Sequence, residues 1–317
     1  MEGDERVIKA LNLTKRYGDL IAVDHISFEV KKGEIFGFLG PNGAGKTTTV
    51  RMLSTLTRIT EGEAYVNGYD VKRERLKVKE SIGVVQDVSN LYDELTVEEN
   101  LKFLAELYGA PGENVERLIK EFNLPRKQKF GKLSSGYKRR VAISAALIHE
   151  PPIIFMDEPT VALDVHSAKL VREMILSLNK EGRTIFLTTH NMLEAEKLPH
   201  RIAIINRGKI VAMGRRNEVR SLLGRGVRVR FRVEPLSNKL LKALEEYSPS
   251  FDEDLIVVET GDVDGFLEEL HELKGELGFK ILHMETQLPS IEEVFLELTD
   301  ESEEPRTCAV SCGGCPI

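Results

Sequence analysis

The most specific chemistry in this sequence lies in Gly40-Pro41-Asn42-Gly43-Ala44-Gly45-Lys46-Thr47. Glycines at this spacing let successive backbone N–H groups turn inward around anionic oxygens with no Cβ in the way. The run Ile35-Phe36-Gly37-Phe38-Leu39 before it is apolar throughout, and helical spacing follows from Lys46 to about Leu56. The turn therefore sits between a strand and a helix, as this pattern requires. The helix points the positive end of its dipole at the same anion. The chemistry is that of a nucleotide polyphosphate. Lys46 reaches the β- and γ-phosphates, the Thr47 hydroxyl ligates Mg²⁺, and Thr48 adds a hydroxyl near the α-phosphate. A glycine turn that binds nothing is the bland alternative, and strand, spacing, lysine and threonine together speak against it.

A second constellation is Ile153-Ile154-Phe155-Met156-Asp157-Glu158-Pro159, four apolar residues and then two acids. Burial of the strand aims Asp157 at the Mg²⁺ region, while Glu158 can polarise an attacking water. The alternative is a solvated acidic pair at a strand exit.

The elements that must carry these groups are legible from patterning. Val7 to Leu13, Ile26 to Val30, Ala64 to Asn67 and Ile82 to Gln86 read as strands beside Ile35 to Leu39. Val97 to Tyr108, Val115 to Phe122 and Gly136 to His149 show helical spacing, a helix-rich insert. Ile153 to Met156 and Thr184 to Thr188 are buried-type strands with a helix from about Asp164 to Asn179 between them, which indicates a mainly parallel sheet. The charged run Lys72 to Lys79 reads as a solvated face. After a break at Leu223-Gly224-Arg225-Gly226, Val227 to Val233 alternates as a half-buried strand does. Strands at Leu255 to Val258 and Lys280 to His283 and helices at Leu240 to Glu246, Val263 to Leu273 and Ile291 to Leu298 complete a small α+β domain.

Bulk composition narrows the class. The 317 residues suffice for one large α/β domain and a smaller one, with 41% hydrophobic residues for a sizeable core. A net charge of −7 argues against a nucleic-acid partner, since phosphate backbones require surplus Lys and Arg. No run of about 18 apolar residues is present to span a bilayer. The acidic start, Met1-Glu2-Gly3-Asp4-Glu5, has no apolar core of the kind a secretory signal needs.

Further segments resemble the ABC (ATP-binding cassette) family. Leu133-Ser134-Ser135-Gly136-Tyr137-Lys138-Arg139-Arg140 is similar to its signature segment and lies the expected distance before Asp157. Gln86 resembles the Q-loop glutamine, Ala162-Leu163-Asp164 the D-loop, His190 the switch histidine, and Tyr17 the aromatic that stacks on adenine. The details are those of subunits in drug- and antibiotic-export systems, whose C-terminal extensions end like Ser290-Ile291-Glu292-Glu293-Val294-Phe295-Leu296.

The resemblance implies a P-loop NTPase cassette over residues 1–223. It would have a mixed sheet core, a β-rich N-terminal subdomain and a helical signature subdomain at about 90–150, followed by an α+β domain at 227–300. It implies ATP and Mg²⁺ as cofactors. Lys46, Gln86, Glu158 and His190 would act in hydrolysis, and Thr47, Gln86 and Asp157 would hold the metal. Tyr17, Gly40 to Thr48, Gln86 and Ser134, Ser135 and Gly136 would contact nucleotide. The partners would be a second cassette, with ATP sandwiched between the two, and separate polytopic membrane subunits. The place of action would be the cytoplasmic face of the cell membrane. A DNA- or ribosome-associated ABC ATPase is the alternative. Two departures stand out: Ser-Ser-Gly-Tyr replaces Ser-Gly-Gly-Gln in the signature, and Val161-Ala162 replaces Ser-Gly in the D-loop. Both are read as variation within the export group. The bland reading of Ser134-Ser135 is an ordinary helix N-cap.

All three cysteines, Cys308, Cys312 and Cys315, fall in the tail at 301–317. Their C-x₃-C-x₂-C spacing could hold a metal or an iron–sulfur cluster with a fourth ligand. The sequence around them supplies no framework, so the tail is read as disordered, exposed and redox-labile, with nothing bound.

Overall fold

The computed structural model describes residues 5–86, 91–223 and 226–299. The cysteine tail and the Gly224-Arg225 break lie outside the described residues. The chain forms two compact units, residues 5–216 with 298 and 299, and Asn217–Glu297.

The first unit starts with β1 (Arg6–Tyr17), β2 (Leu20–Lys31) and β3 (Ile35–Leu39), then α1 (Lys46–Leu53). Next come β4 (Glu61–Val66), β5 (Tyr69–Asp70), α2 (Arg75–Glu80) and β6 (Ile82–Val85). The insert holds α3 (Val97–Tyr108), α4 (Gly112–Glu121) and α5 (Ser135–Ala146). It is followed by β7 (Ile153–Asp157), α6 (Val165–Lys180), β8 (Thr184–Thr189), α7 (Met192–Lys197), β9 (Arg201–Asn206) and β10 (Lys209–Arg215), after which α8 (Arg216–Arg220) leads into the second unit.

Six of these strands make the central sheet in the order β10-β9-β3-β8-β7-β6. All its neighbours run parallel except the β9–β10 hairpin. Strands β3, β7 and β8 are buried along their whole length, as both faces of a covered parallel sheet must be. One face packs Phe36, Phe38, Phe155 and Phe186 against Phe28 of β2, with ring centroids 5.5–5.8 Å apart. Strand β2 belongs to the antiparallel sheet β2-β1-β4-β5, so the aromatic cluster joins the two sheets. The other face packs on the helices of the insert and on α6. The result is a mixed-sheet α/β core with a β-rich N-terminal layer and a helical insert.

Three details differ from the sequence reading. Helix α1 stops at Leu53, not near Leu56, because Thr55 adopts a left-handed φ of 63° that cannot continue a helix. The run Lys72 to Lys79 is more than a solvated face: part of it is α2, whose Val78 is fully buried. Residues 192–215, for which the sequence reading offers nothing, supply α7, β9 and β10.

The second unit holds β11 (Val227–Glu234), α9 (Asn238–Ala243), β12 (Ser250–Asp252), β13 (Leu255–Thr260), α10 (Val263–Leu277) and β14 (Lys280–Gln287). Helix α11 (Ile291–Thr299) starts in it. Its antiparallel sheet runs β12-β13-β11-β14. Alternation on β11 buries Val229, Phe231 and Val233 in a core with Phe266 and Leu270. The opposite face carries Arg228, Arg230 and Arg232, each paired to carboxylates.

Candidate functional site

The phosphate-type turn follows β3 directly and ends in α1. Gly45 is the N-cap, with φ 111°, and a Cβ there would stand 2.6 Å from the Ala22 carbonyl oxygen. Only glycine fits, for conformation and for space. No side chain caps α1 and no acid occupies its first turn, so its leading N–H groups and dipole face outward without a built-in anion. Lys46 is 6% exposed. Its Nζ donates to the Gly40 and Pro41 carbonyls at 2.6 and 3.1 Å and pairs with Glu158 Oε1 at 3.2 Å. Thr47 and Thr48 are half-buried at the helix start.

The two acids stand at the carboxyl end of β7, beside β8. The buried Thr188 hydroxyl donates to the Asp157 carboxylate and accepts from the Glu158 amide at 3.2 Å. Glu158 itself is left-handed, φ 49°, which swings its side chain out of the strand line. Its Oε2 lies 2.9 Å from His190 Nδ1 and accepts from the His190 amide at 3.3 Å. Parallel strands β7 and β8 thus bring Lys46, Asp157, Glu158 and His190 together, although they lie far apart in the chain. This is the crevice outside the carboxyl ends of an open α/β sheet.

The other expected residues sit on their own elements. Tyr17 ends β1, 47% exposed, with Lys15 Nζ 4.7 Å from its ring centroid. Gln86 follows β6, and its carbonyl accepts from Arg139 of α5 at 3.1 Å. It lines a cavity of about 290 Å³ with Leu56, Leu91, Leu104, Tyr108 and His149. Ser134 caps α5, accepting from the Tyr137 amide at 3.5 Å. That is the ordinary N-cap role, and it leaves the hydroxyl proton free to donate outward. Ser135 is exposed, whereas Gly136 is buried against α6, where an added Cβ would lie 2.2 Å from Ser167 Oγ.

Three residues escaped sequence reasoning. Thr188 joins the two acids, Arg139 holds the Gln86 backbone, and Glu194 of α7 is a carboxyl only 1% exposed. Glu194 accepts from Thr160 Oγ1 at 2.5 Å. Burial raises its pKa, with the nearby Glu158 charge adding and the Thr160 and Thr189 hydroxyls opposing. The sequence signal was ambiguous, since an acid three residues after Asn191 looks like routine helix capping.

The donor set fits a nucleotide with a hard cation. Backbone amides and an ammonium suit phosphate oxygens, and a threonine hydroxyl, an amide oxygen and a carboxylate suit Mg²⁺. Comparison with known proteins agrees on the nucleotide. Residues 23–161 match the family model described as ABC transporter. The chain is 36% identical over 308 residues to the linearmycin resistance ATP-binding protein LnrL of Bacillus subtilis, covering 92% of this chain and 98% of that one. It is 33% identical over 327 residues to the doxorubicin resistance ATP-binding protein DrrA of Mycobacterium tuberculosis, covering 98% and 99%. Among solved structures it is similar to the ATP-binding cassette MJ0796 in a dimeric post-hydrolysis state bound to ADP and Pi. The TM-score is 0.60 at 29% identity, over 66% of this chain and 98% of that one.

Proposed function

Because the chain belongs to the ABC transporter family, as one of its ATP-binding and ATP-hydrolysing subunits, we propose that it drives export of a drug- or antibiotic-like molecule through separate membrane subunits. The resistance functions in the names of LnrL and DrrA support export, and the relatives lend no support to a DNA- or ribosome-acting role. Among the described residues no helix is long and apolar enough to cross a membrane, so the path for cargo belongs to a partner. The cleft beside Gln86 suits an amphipathic segment of that partner. Exposed Leu56 and Tyr108 line it with Leu91 and Leu104, apolar groups that would gain by being covered. Such docking would hold the subunit on the cytoplasmic face of the membrane.

The contact that carries the hydrolytic reading is Glu158, placed between Lys46 and His190. Phosphates lying on the α1 amides compete with Glu158 for the Lys46 ammonium. The Glu158 carboxylate is then free to accept a proton from the attacking water, while His190 orients it and faces the γ-phosphate. Thr47, Gln86 and Asp157 would hold Mg²⁺, which would supply charge neutralisation to the triphosphate. Tyr17 would stack on adenine, with Lys15 already over the ring. Ser134, Ser135 and the α5 N-terminus would meet the γ-phosphate of ATP held by a second copy, so that ATP joins two cassettes and hydrolysis parts them. The dimeric MJ0796 cassette supports this pairing.

Replacing Glu158 with Gln tests both parts. Hydrolysis should fall about a hundredfold or more, the scale of losing a general base. ATP affinity should persist, and the variant should elute from size exclusion as a dimer with MgATP but not with MgADP. Wild-type turnover, or a monomer at saturating ATP, would count against the reading.

A further inference from the structure

We propose that Glu194 is a positioning residue for hydrolysis, its buried carboxyl joining Thr160, at the head of the D-loop, to Thr189, directly before His190. Glu194, Thr160 and Thr189 are 1%, 7% and 0% exposed. The carboxyl accepts from Thr160 Oγ1 at 2.5 Å, and the Thr189 hydroxyl lies close enough to favour its ionised form.

The local chain explains how the carboxyl is turned inward. A glutamate three residues past a helix N-cap ordinarily reaches back to the cap amide. Here the Asn191 amide is taken by Thr189 Oγ1 at 2.9 Å, and the Asn191 side chain caps the Leu193 amide at 2.9 Å. Glu194 therefore has no capping task. Burying a carboxyl is unfavourable unless it is hydrogen-bonded, and a methionine would fill the same space without that penalty. What the carboxyl adds is a link between two loops.

Those loops lead to different surfaces. Thr160 begins the turn Val161-Ala162-Leu163, closed by Leu163 N–H to the Thr160 carbonyl at 3.2 Å. This turn runs on to Asp164, whose carboxylate holds Ser167 against the α5 start at Gly136, the end that would meet ATP of the second cassette. Thr189 leads into His190, which holds Glu158. A shift of the D-loop on cassette pairing is thereby passed to the imidazole through Thr160, Glu194 and Thr189. This inference rests on the reading of His190 and Glu158 as hydrolytic groups.

The test measures kcat, KM for ATP and melting temperature in five variants of the full chain. Glu194→Met and Thr160→Val should each lower kcat about tenfold, the scale of one buried hydrogen bond, with KM and melting temperature little changed. Glu194→Gln, which keeps an acceptor oxygen, should recover most of that loss. His190→Ala alone tests the underlying reading, and adding Glu194→Met to it should bring no further loss. Wild-type kcat in both Glu194→Met and Thr160→Val overturns the proposal. So does a loss that multiplies fully with His190→Ala, or one that moves KM and melting temperature in step with kcat, because a general structural lesion behaves that way. If the isosteric Thr160→Val folds where Glu194→Met does not, its kcat decides.

Discussion

His190 Nδ1 lies 2.9 Å from Glu158 Oε2, across the ends of the neighbouring parallel strands β7 and β8. In the proposed mechanism the imidazole fixes the carboxylate that would receive the water proton. His190→Ala should therefore lower turnover about a hundredfold while leaving the affinity for ATP near its original value. Steady-state hydrolysis beside a fluorescent-nucleotide titration measures the two separately, and equal losses in both would argue for a binding role.

Lys46 is the sole cation on the turn that follows β3, and it also ties the Gly40 and Pro41 carbonyls. Lys46→Ala should abolish hydrolysis and weaken ATP binding about ten- to a hundredfold, the worth of charge-assisted hydrogen bonds to phosphate. Isothermal titration with MgATP reads the affinity directly.

Gly136 and Ser135 should respond oppositely to added bulk. A Cβ at Gly136 meets Ser167 Oγ, which is itself bound to Asp164 at 2.6 Å and cannot swing away freely. Gly136→Ala should lose about 1–3 kcal/mol of stability by overpacking, and Ser167→Gly in the same chain should restore part of it. Ser135→Trp, on an exposed position, should melt as the parent does yet fail to form the ATP dimer in the Glu158→Gln background. Denaturant melts and size exclusion distinguish the two effects.

Ala162 sits in the D-loop with φ 59°, a conformation that glycine adopts without strain. Ala162→Gly should raise stability by up to about 1 kcal/mol, the left-handed penalty less the added freedom of the unfolded chain. Ala162→Val should lower it. Urea unfolding of the three proteins checks the order.

Glu194 has a pKa raised above its ordinary 4.5, burial being the main cause. Above about 4.5 the unfolded chain releases this proton while the folded one retains it. Folding stability then falls as pH rises, until pH passes the raised value. Glu194→Gln removes that titration, so its stability relative to the parent should grow over the window just above 4.5. Urea midpoints measured from pH 4 to 7 would show a constant difference if Glu194 titrated alike in both states.

The sequence by itself determined the turn from Gly40 to Thr47 and the kind of most main elements, though not of α7, β9 and β10. Both are local: apolar alternation, helical spacing and a glycine pattern act over a few residues and need no partner. The alternation of Val229, Phe231 and Val233 with Arg228, Arg230 and Arg232 specified a two-faced strand in the same way. Only the tertiary structure decided which side chains meet. Strand order places β8 between β3 and β7, and that order alone brings His190 to Glu158 and both to Lys46. It also made Glu194 a buried link to Thr160 and set Gly136 against Ser167. The reason is one of range. A residue's backbone preference is set by its own neighbours, whereas the partner of a buried carboxyl is set by which strands pair, a relation between segments tens of residues apart.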